Sequence, residues 1–476
     1  MNSMSAGEDP EFVSCLEARY EYWASKLTIT KTMSEGIIRK FTDELTLGLK
    51  LHKERPSRDF DTEECSLYMV DTCVHHLPTT REQGVYYAVD LGGTHLRAGR
   101  VHLEGKGKAT VNDHHNNVRE DFYSAEMPQG LVDPKATATM LFDQIATKVE
   151  DLMKVHGDTS AKVGFTFSFG VRHVRINQAV LLHWTKSFRT GLLTKDPVVG
   201  RDIVALLTEA FKRRNMPCKV VACLNDSTGT LITGAYESSW RDPKCIVGMI
   251  IGTGYNMCYV EPEAESFNYI GSIINIESGS FGRGLPRTAI DYEVDLESSE
   301  EGLQQLEKMV SGLYVGELCR HLLLRVFQAS VAPLAWKRNS LSAEVCLTIF
   351  NDDTPDLTLT ATALKEIWHW DLALEGRKVL KKCVTLMVRR SAALVATIVA
   401  AVCYRTRYLQ PAMGGMTIAV DGSLYTQNPL YRDAVRSSLA LILGSELCDL
   451  IKFQVTSDGS GRGAAILACI EDNADS

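Results

Sequence analysis

Two segments of this chain have the same local design, in which a strand runs into a glycine-rich turn and a second strand leaves it. The turns are Asp90-Leu91-Gly92-Gly93-Thr94 and Gly252-Thr253-Gly254. The apolar runs that predict the flanking strands are residues 85–89, 96–101, 246–251 and 257–260. Glycine permits a positive φ and a bare backbone, so successive N–H groups can converge on an anion, and threonine adds a hydroxyl donor. One such turn more often marks only a chain reversal, but the pair predicts a polyphosphate held between two halves of the protein.

Asp90 stands at the end of the first predicted strand. A carboxylate beside phosphate groups needs a cation to offset the repulsion, and Mg²⁺ prefers oxygen ligands of this kind. The first turn therefore also predicts a magnesium site.

Length and composition exclude several classes of protein. A chain of 476 residues exceeds the size at which single cores stop growing, so two domains are expected. Its net charge of -8, without clustered lysine and arginine, argues against a nucleic-acid surface. The thirteen cysteines include no Cys-x-x-Cys pair, so neither a zinc site nor a disulfide framework is indicated. We expect a small-molecule protein in a reducing compartment.

No targeting or membrane segment is predicted. Residues 1–10 are polar and acidic and lack the apolar core of a secretory signal. The longest apolar stretch, residues 392–404, has 13 residues, which is too short to span a bilayer and is typical of a buried helix. We therefore expect a cytoplasmic chain without a membrane span, whose oligomeric state the sequence leaves open.

Helical and strand-like segments alternate along the chain, which predicts an α/β fold. Ile37, Phe41, Leu45 and Leu49 predict an amphipathic helix near the start. Its solvent face is expected to carry Arg39, Lys40, Asp43 and Glu44. Further strands are predicted at 163–169, 220–224, 417–420 and 453–456, a helix at 303–327, and a surface insertion at 343–359.

Common nucleotide-binding motifs do not explain the chain. No Gly-x-x-x-x-Gly-Lys-[Ser/Thr] sequence occurs, which excludes a P-loop. Gly459-Ser460-Gly461-Arg462-Gly463-Ala464 imitates a dinucleotide fingerprint, but the chain ends at residue 476, too early for the ribose-binding acid expected about 20 residues on. The segment still predicts a strand, a glycine turn and a helix whose amides could face a nucleotide.

Polar residues that could bind a polyhydroxylated ligand lie between the two turns in the sequence and shortly after them. The strand at 220–224 ends in Asn225-Asp226, and Asp226 on its own would more often be a helix N-cap than a functional carboxylate. Glu277 follows an apolar stretch, which suggests partial burial, and Gln304 and Glu307 have the spacing of one helix face. The remaining candidates are Ser168, Thr185, Lys186 and Asn256.

With these segments taken together, the sequence resembles the hexokinase family, within the actin, Hsp70 and sugar-kinase fold, from about residue 33 to 470. The segments 164–169 and 182–188 look like its sugar-binding segments, and Asn225-Asp226 is similar to its catalytic segment. Residues 90–97 and 251–256 resemble its two phosphate loops, and 420–423 and 458–463 its nucleotide end. The resemblance implies a two-domain, actin-like (ribonuclease H-like) α/β fold with a central cleft.

The resemblance implies domains at 1–75 (helical part of the large domain), 76–223 (small domain), 224–455 (large domain) and 456–476 (a strand and helix returning to the small domain). It also implies an ATP-dependent hexokinase that phosphorylates the 6-hydroxyl of a hexose, with glucose as the expected substrate, in the first step of glycolysis. Two alternatives remain open: a catalytically weak, sugar-sensing regulatory protein, and a polymer-forming or chaperone-type ATPase, although the latter leaves Lys186, Glu277 and Glu307 without a shared purpose.

The resemblance implies a role for each matching residue. Asp226 would take the proton from the sugar 6-hydroxyl as its oxygen attacks the γ-phosphate of ATP, and Lys186 would bridge sugar and phosphate. The implied sugar-binding residues are Ser168, Phe169, Thr185, Lys186, Asn225, Asp226, Asn256, Glu277, Gln304 and Glu307. The implied nucleotide-binding residues are Asp90, Gly92, Gly93, Thr94, Arg97, Gly252, Thr253, Gly254, Gly422, Ser423 and Gly461. Asp90 would hold Mg²⁺ through water.

The chain departs from the family pattern at two of these segments. His95 stands where the family usually has asparagine, and Gly170 stands where it usually has proline. The family's Arg-Gly-x-Phe nucleotide segment is not recognisable around residues 336–341. The first departure could alter phosphate affinity, because an imidazole titrates near neutrality, and the second removes a fixed φ from a sugar-contacting loop.

Overall fold

A computed structural model describes residues 10–55, 63–93, 95–110, 122–186, 188–238 and 242–474. Thr94, predicted to bind phosphate, lies outside these residues. The described strands are β1 (Val70–Asp71), β2 (Gln83–Leu91), β3 (His95–Gly105), β4 (Lys108–Thr110), β5 (Phe122–Glu126), β6 (Ala161–Phe167), β7 (Gly170–Arg175), β8 (Gln178–His183), β9 (Cys218–Leu224), β10 (Cys245–Ile251), β11 (Tyr255–Val260), β12 (Ile273–Asn275), β13 (Met416–Asp421) and β14 (Ile451–Val455).

The described α-helices are α1 (Pro10–Leu27), α2 (Lys31–Glu54), α3 (Gln129–Val132), α4 (Ala138–His156), α5 (Ile203–Arg213), α6 (Asp226–Glu237), α7 (Ala289–Glu297), α8 (Gln305–Val310), α9 (Gly312–Phe327), α10 (Ala343–Asn351), α11 (Thr358–Trp368), α12 (Leu374–Thr406), α13 (Ser423–Thr426), α14 (Pro429–Leu443), α15 (Ser445–Cys448) and α16 (Gly459–Ala474). The predicted α/β class is confirmed.

Two sheets with one repeated strand order form the framework. One sheet has the order β4-β3-β2-β6-β9, with β5 also paired to β3, and the other β1-β12-β11-β10-β13-β14. In each sheet a central antiparallel hairpin, β2–β3 or β10–β11, continues into two parallel strands. Both predicted strand–turn–strand units are therefore hairpins at equivalent places in the two sheets. The short hairpin β7–β8 stands apart from them.

Helices α6 and α16 pack together between the two sheets. Their apolar side chains share one buried cluster with residues of both sheets, for example Leu231 and Ile466 with Leu224 and Ala419. The contact is close because both helices carry glycine where they meet: a Cβ atom added to Gly463 would lie 2.1 Å from the carbonyl oxygen of Gly229. This packing fixes the start of each helix, where candidate site residues lie.

The longest helix, α12, is a core helix. By length and hydropathy it could cross a membrane, but 83% of its most apolar window is buried inside the protein. Residues such as Leu394, Val395 and Ile398 have no exposed surface. The prediction of a buried helix at 392–404 is confirmed, and the helix begins well before that stretch, at Leu374, and ends shortly after it, at Thr406.

The N-terminal amphipathic helix is confirmed as α2, which buries Ile37, Phe41, Leu45 and Leu49. Its predicted solvent face is wrong at Glu44, which is only 4% exposed. The Glu44 carboxylate accepts hydrogen bonds from the backbone N–H of Ser66 at 2.6 Å and from its hydroxyl at 2.8 Å. It also pairs with Arg283 at 3.0 Å. Partners that are distant in the sequence thus compensate the burial of this charge.

The predicted surface insertion at 343–359 is wrong. Most of it is helix α10, whose Cys346, Ile349 and Phe350 belong to the main core. Asp352 follows the helix and is fully buried. Its burial is compensated because the carboxylate accepts hydrogen bonds from both the backbone N–H and the hydroxyl of Thr360 at 2.7 Å. The polar residues that resembled a loop are the junction between two core helices.

The predicted helix at 303–327 is two helices, α8 and α9, which break at Ser311 in an extended conformation. The break leaves the first N–H groups of α9 available to the second glycine turn. Those of Gly312 and Leu313 donate to the carbonyl oxygens of Gly252 at 2.7 Å and Thr253 at 3.2 Å. The start of α9 therefore holds the second glycine turn in place.

The predicted domain boundaries stay a prediction, with one correction at the C-terminus. The strand expected within 456–476 ends before it, since β14 is Ile451–Val455 and belongs to the same sheet as β13. Helix α16 follows and packs against α6 and against β2 and β6 of the first sheet.

The α6–α16 contact leads to a stability prediction. Gly463→Ala forces a methyl group against the Gly229 carbonyl and is expected to destabilise the fold by about 2 kcal/mol, in the range of overpacked cores. Urea unfolding followed by circular dichroism measures the change. Gly36→Ala is the matched control, because this helical glycine has open space where a Cβ would go and alanine favours helix. Equal stability of the two variants would contradict the close packing.

Candidate active site

A cavity of about 530 Å³ lies between the two glycine hairpins. It brings together residues that the sequence places far apart. The predicted residues that line it are Asp90, Gly92, Gly93, Arg97, Ser168, Phe169, Thr185, Lys186, Asn225, Asp226, Gly252, Thr253, Gly254, Asn256, Glu277, Gln304, Glu307, Gly422 and Ser423. Of the predicted residues that the structure describes, only Gly461 does not line the cavity.

The glycines of the two turns allow neighbouring side chains to approach the backbone closely and do not adopt unusual dihedral angles. None of Gly92, Gly93, Gly252 and Gly254 has a positive φ, so that part of the prediction is wrong. A Cβ atom on Gly93 would lie 2.6 Å from Cδ of Lys186, and one on Gly254 would lie 2.7 Å from Oε2 of Glu307. Glycine at these positions lets other side chains of the site pack directly on the turns, and a larger residue would displace Lys186 or Glu307.

Lys186 lies between the two turns. Its ammonium group donates a hydrogen bond to the carbonyl oxygen of Ser168 at 2.9 Å and is 3.9 Å from Oδ2 of Asp226. It also lies 5.7 Å from the centre of the Phe169 ring. One cation thus reaches the first hairpin, the end of β6 and the candidate base.

Asp226 is the first residue of α6, which begins where β9 ends. The N-cap is Asn225 rather than Asp226, because the Asn225 side chain accepts a hydrogen bond from the N–H of Ser227 at 3.0 Å. Oδ1 of Asp226 accepts from the same N–H at 2.8 Å, and Oδ2 faces Lys186. The helix dipole favours a carboxylate at this terminus, and the two contacts give the aspartate side chain a defined orientation.

A chain of buried amides fixes Asn225 against the second hairpin. Nδ2 of Asn256 donates to Oδ1 of Asn225 at 3.1 Å and to Oδ1 of Asn275 at 2.9 Å. Nδ2 of Asn275 then donates to Oε1 of Glu277 at 2.9 Å. This network connects the start of α6 to two other segments, β11 and the end of β12 with the residues that follow it, and leaves little freedom in their spacing.

The acidic side of the cavity is formed by Glu277, Gln304 and Glu307. Glu277 and Gln304 have left-handed φ angles of 54° and 49°. Gln304 therefore precedes helix α8 instead of sharing a helix face with Glu307, which corrects that expectation. Oε2 of Glu307 accepts a hydrogen bond from the N–H of Tyr255 at 2.8 Å.

Burial changes the protonation of the two glutamates. It raises the pKa of Glu277 to about 7, with the negative charge of Asp226 adding to the effect. It also raises the pKa of Glu307 to about 7, against the opposing effect of the Lys186 charge. Both carboxyl groups therefore titrate near neutral pH.

Asp90 faces the other end of the cavity and is 4% exposed. Oδ2 accepts a hydrogen bond from the hydroxyl of Ser460 at 2.7 Å and lies 3.4 Å from the guanidinium group of Arg97. Oδ1 is buried without a hydrogen-bond partner among the described residues. Burial raises the pKa of Asp90 to about 7, although the Arg97 charge opposes the shift.

The third wall joins the end of β13 to the start of α16. The Asp421 carboxylate accepts hydrogen bonds from the N–H groups of Gly422 at 2.6 Å and Gly459 at 2.7 Å. Asp421, Asp458 and Ser460 also line the cavity. They lie inside the sequence motifs 420–423 and 458–463 but were not among the predicted site residues, whereas the predicted Gly461 lies outside the cavity wall. The sequence interpretation also missed Tyr68 and His183, and for Tyr68 no sequence motif provides a signal.

Comparisons with known proteins agree with this site. Family models described as hexokinase match residues 20–236 and 246–470. The chain belongs to the hexokinase family. The hexokinase of Toxoplasma gondii is 40% identical over 95% of this chain and 97% of its own length. That of Plasmodium falciparum is 38% identical over 96% and 92%.

Solved structures support the same assignment. A crystal structure of a hexokinase superposes with a TM-score of 0.85 at 38% identity, covering 96% of this chain and all of the other. The hexokinase of Schistosoma mansoni, complexed with glucose, gives 0.79 at 27% identity over 96% and 99%. The predicted two-domain kinase fold and the ATP-dependent phosphorylation of a hexose are thereby confirmed. Nothing in the comparisons favours a catalytically weak regulatory protein.

The raised pKa values of this hexokinase predict pH-dependent sugar affinity. Ionised carboxylates are the stronger acceptors for hydroxyl groups, so binding should favour the deprotonated forms of Glu277 and Glu307. Since each pKa is about 7, protonation of one such carboxylate should weaken hexose binding roughly tenfold as the pH falls from 8 to 6. Calorimetry at both pH values should show proton release on binding.

Glu277→Gln tests the origin of this pH dependence. The variant should bind more weakly at pH 8 and lose part of the change between pH 8 and pH 6. Glu265→Gln, an exposed position outside the cavity, is the control. A wild-type affinity that stays constant across this range would contradict the role of these carboxylates.

Proposed function

We propose that this hexokinase transfers the γ-phosphate of ATP to the 6-hydroxyl of glucose, with Asp226 as the general base, in the first step of glycolysis. The observation that carries the proposal is the position of Asp226, at the start of α6 and 3.9 Å from the Lys186 ammonium group, in a cavity between two glycine turns. Glucose is proposed as the hexose because the Schistosoma mansoni relative is a complex with it.

Glucose would be held by the polar residues around Asp226. Side chains of Ser168, Thr185, Asn225, Asn256, Glu277, Gln304 and Glu307 line this part of the cavity, with Phe169 beneath Lys186. The carboxylates and amide oxygens accept hydrogen bonds from sugar hydroxyls. Each buried group left without its hydroxyl would cost about 1–3 kcal/mol, so several together select among sugars.

Asp226 and Lys186 would act on the reacting atoms. The Asp226 carboxylate would accept the proton of the 6-hydroxyl as the hydroxyl oxygen bonds to the γ-phosphorus and the bond from that phosphorus to the departing ADP breaks. This general-base step requires hydrogen-bond reach. The Lys186 ammonium group offsets negative charge on the transferred phosphoryl group. Phosphoryl transfer depends mainly on such alignment and charge stabilisation, which matches a site built from buried, mutually positioned side chains.

ATP would bind across the two turns. Gly92, Gly93, Thr253 and Gly254 would receive the phosphates together with Thr94 and Arg97, and the adenosine would lie near Gly422 and Ser423. The residues present fit a magnesium ion, because Oδ1 of Asp90 is buried without a hydrogen-bond partner among the described residues. Asp90 would hold the ion through water, and Mg²⁺ when bound would neutralise charge on the phosphates.

We also propose a cytoplasmic location. All thirteen cysteines are free thiols, and twelve of them are fully or partly buried. Such a chain suits a reducing compartment, where thiols stay unpaired. Cell fractionation tests this part of the proposal.

Loss of Asp226 is the direct test of the mechanism. Asp226→Ala should abolish glucose-dependent ADP formation in a coupled assay with Mg²⁺ and ATP while leaving glucose binding weakened but measurable by calorimetry, because the other sugar contacts remain. Asp43→Ala on the exposed face of α2 is the matched control and should be fully active. Undiminished turnover in Asp226→Ala would remove Asp226 as the base.

His95→Asn tests the first turn. The backbone oxygen of His95 accepts a hydrogen bond from Gly92 at 3.0 Å, and any residue can provide that contact. The side chain lines the cavity, so the variant should keep activity within about tenfold, equivalent to about 1.4 kcal/mol of barrier. The same coupled assay measures it, with KM for ATP. Complete loss would show that the first turn is wrongly assigned.

A further inference from the structure

A second cavity of about 300 Å³ adjoins the sugar end of the active site. Its lining is largely apolar and includes Leu182, Trp184, Phe188 and Leu192, and its polar members besides His183 are Arg189, Ser299 and Glu300. Among the described residues, His183 alone lines both this cavity and the larger one. The imidazole therefore stands at the boundary between them.

The position of the His183 ring is determined by two neighbours. Gly170 is its partner across the β7–β8 hairpin, and a Cβ atom at position 170 would lie 2.7 Å from Cε1 of the imidazole. The ring thus occupies space that any larger residue at position 170 would fill. On another side the Tyr68 ring lies perpendicular to it at 6.1 Å between centroids, a favourable edge-to-face arrangement.

We propose that His183 is a specificity-determining residue that closes the sugar site toward the second cavity and so excludes hexoses with bulky substituents. The inference rests on the proposed function, because it requires the sugar to occupy the larger cavity. Burial lowers the pKa of His183, so the ring is neutral near pH 7 and suits the apolar lining on its far side.

Removal of the ring should join the two cavities. The space behind His183 is lined mainly by aromatic and aliphatic side chains, which suit an acyl or aryl group. A hydrophobic site discriminates by size about 10- to 200-fold per missing or extra methylene group. The wild-type protein should therefore reject sugar derivatives that a smaller residue at position 183 would admit.

The experiment compares substrates in His183→Ala. The coupled assay gives kcat/KM for glucose and for glucose derivatives that carry an acetamido or benzamido group at carbon 2, 3 or 4. For at least one derivative, the ratio of its kcat/KM to that of glucose should rise about tenfold or more over the wild-type protein. Leu182→Ala is the matched control, since Leu182 lines only the second cavity, and it should leave every ratio unchanged.

A second pair of variants tests the shared space of Gly170 and His183. Gly170→Ala should displace the imidazole and raise KM for glucose several-fold more than it changes kcat. In the His183→Ala background the same substitution should have little effect, which gives a measurable coupling between the two positions. His183→Asn repeats the substrate comparison with a polar residue should the alanine variant fold poorly.

The outcomes separate the two proposals. Unchanged substrate ratios in folded His183→Ala and His183→Asn, or additive effects at positions 170 and 183, would overturn the role of His183 while wild-type turnover of glucose continues. Absence of glucose turnover in the wild-type protein, with another hexose phosphorylated, would instead overturn the choice of glucose.

Discussion

The packing of Lys186 against the glycines of both hairpins is the contact on which the rest of the site depends. A Cβ atom on Gly93 would lie 2.6 Å from its Cδ, and one on Gly254 would lie 3.4 Å from its Cε. Two sheets with the same strand order place their turns on opposite sides of one cavity. The lysine stem fills the gap between the turns, so its ammonium group has a defined position beside Asp226.

The position of Asp226 follows from a second set of contacts. Helix α6 starts at this residue because Asn225 caps it, and Asn225 is in turn held by Asn256 on β11. Buried amide networks of this kind are stable only when their members are satisfied, and they then permit one arrangement. The glycine contact between α6 and α16 fixes the other side of the helix. The candidate base is therefore positioned by both sheets at once.

Local patterns were sufficient to predict most elements of the fold. Both hairpins, α2 and the burial of α12 follow from apolar spacing and turn residues, which are properties of short segments. The site residues were found largely because their motifs resemble a family. Burial of Glu44 and the helix at Ala343–Asn351 could not be predicted in this way, because each depends on partners distant in the chain.

The same limit applies inside the site. The glycines of the turns were expected to supply positive φ angles, whereas their function is to admit the side chains of Lys186 and Glu307, which only the tertiary structure brings near. His183 belongs to a segment used for the family resemblance, yet its contact with Gly170 becomes visible only from the register of β7 and β8. Motifs identify residues, but cross-strand geometry decides which of them touch the cavity.

Three carboxyl groups with pKa values near 7 indicate how substrate binding organises this cavity. Burial makes the ionised form of each carboxylate costly in free energy, because the protein's own donors and cations compensate the negative charge only in part. Under the proposed function, sugar hydroxyls at Glu277 and Glu307, and a cation at Asp90, would supply the missing donors and charge. The charges of Asp226 and Lys186 act on the pKa values of Glu277 and Glu307. A nucleotide bound beside Asp226 and Lys186 would therefore also change the affinity for the sugar, so we expect the two sites to be energetically coupled.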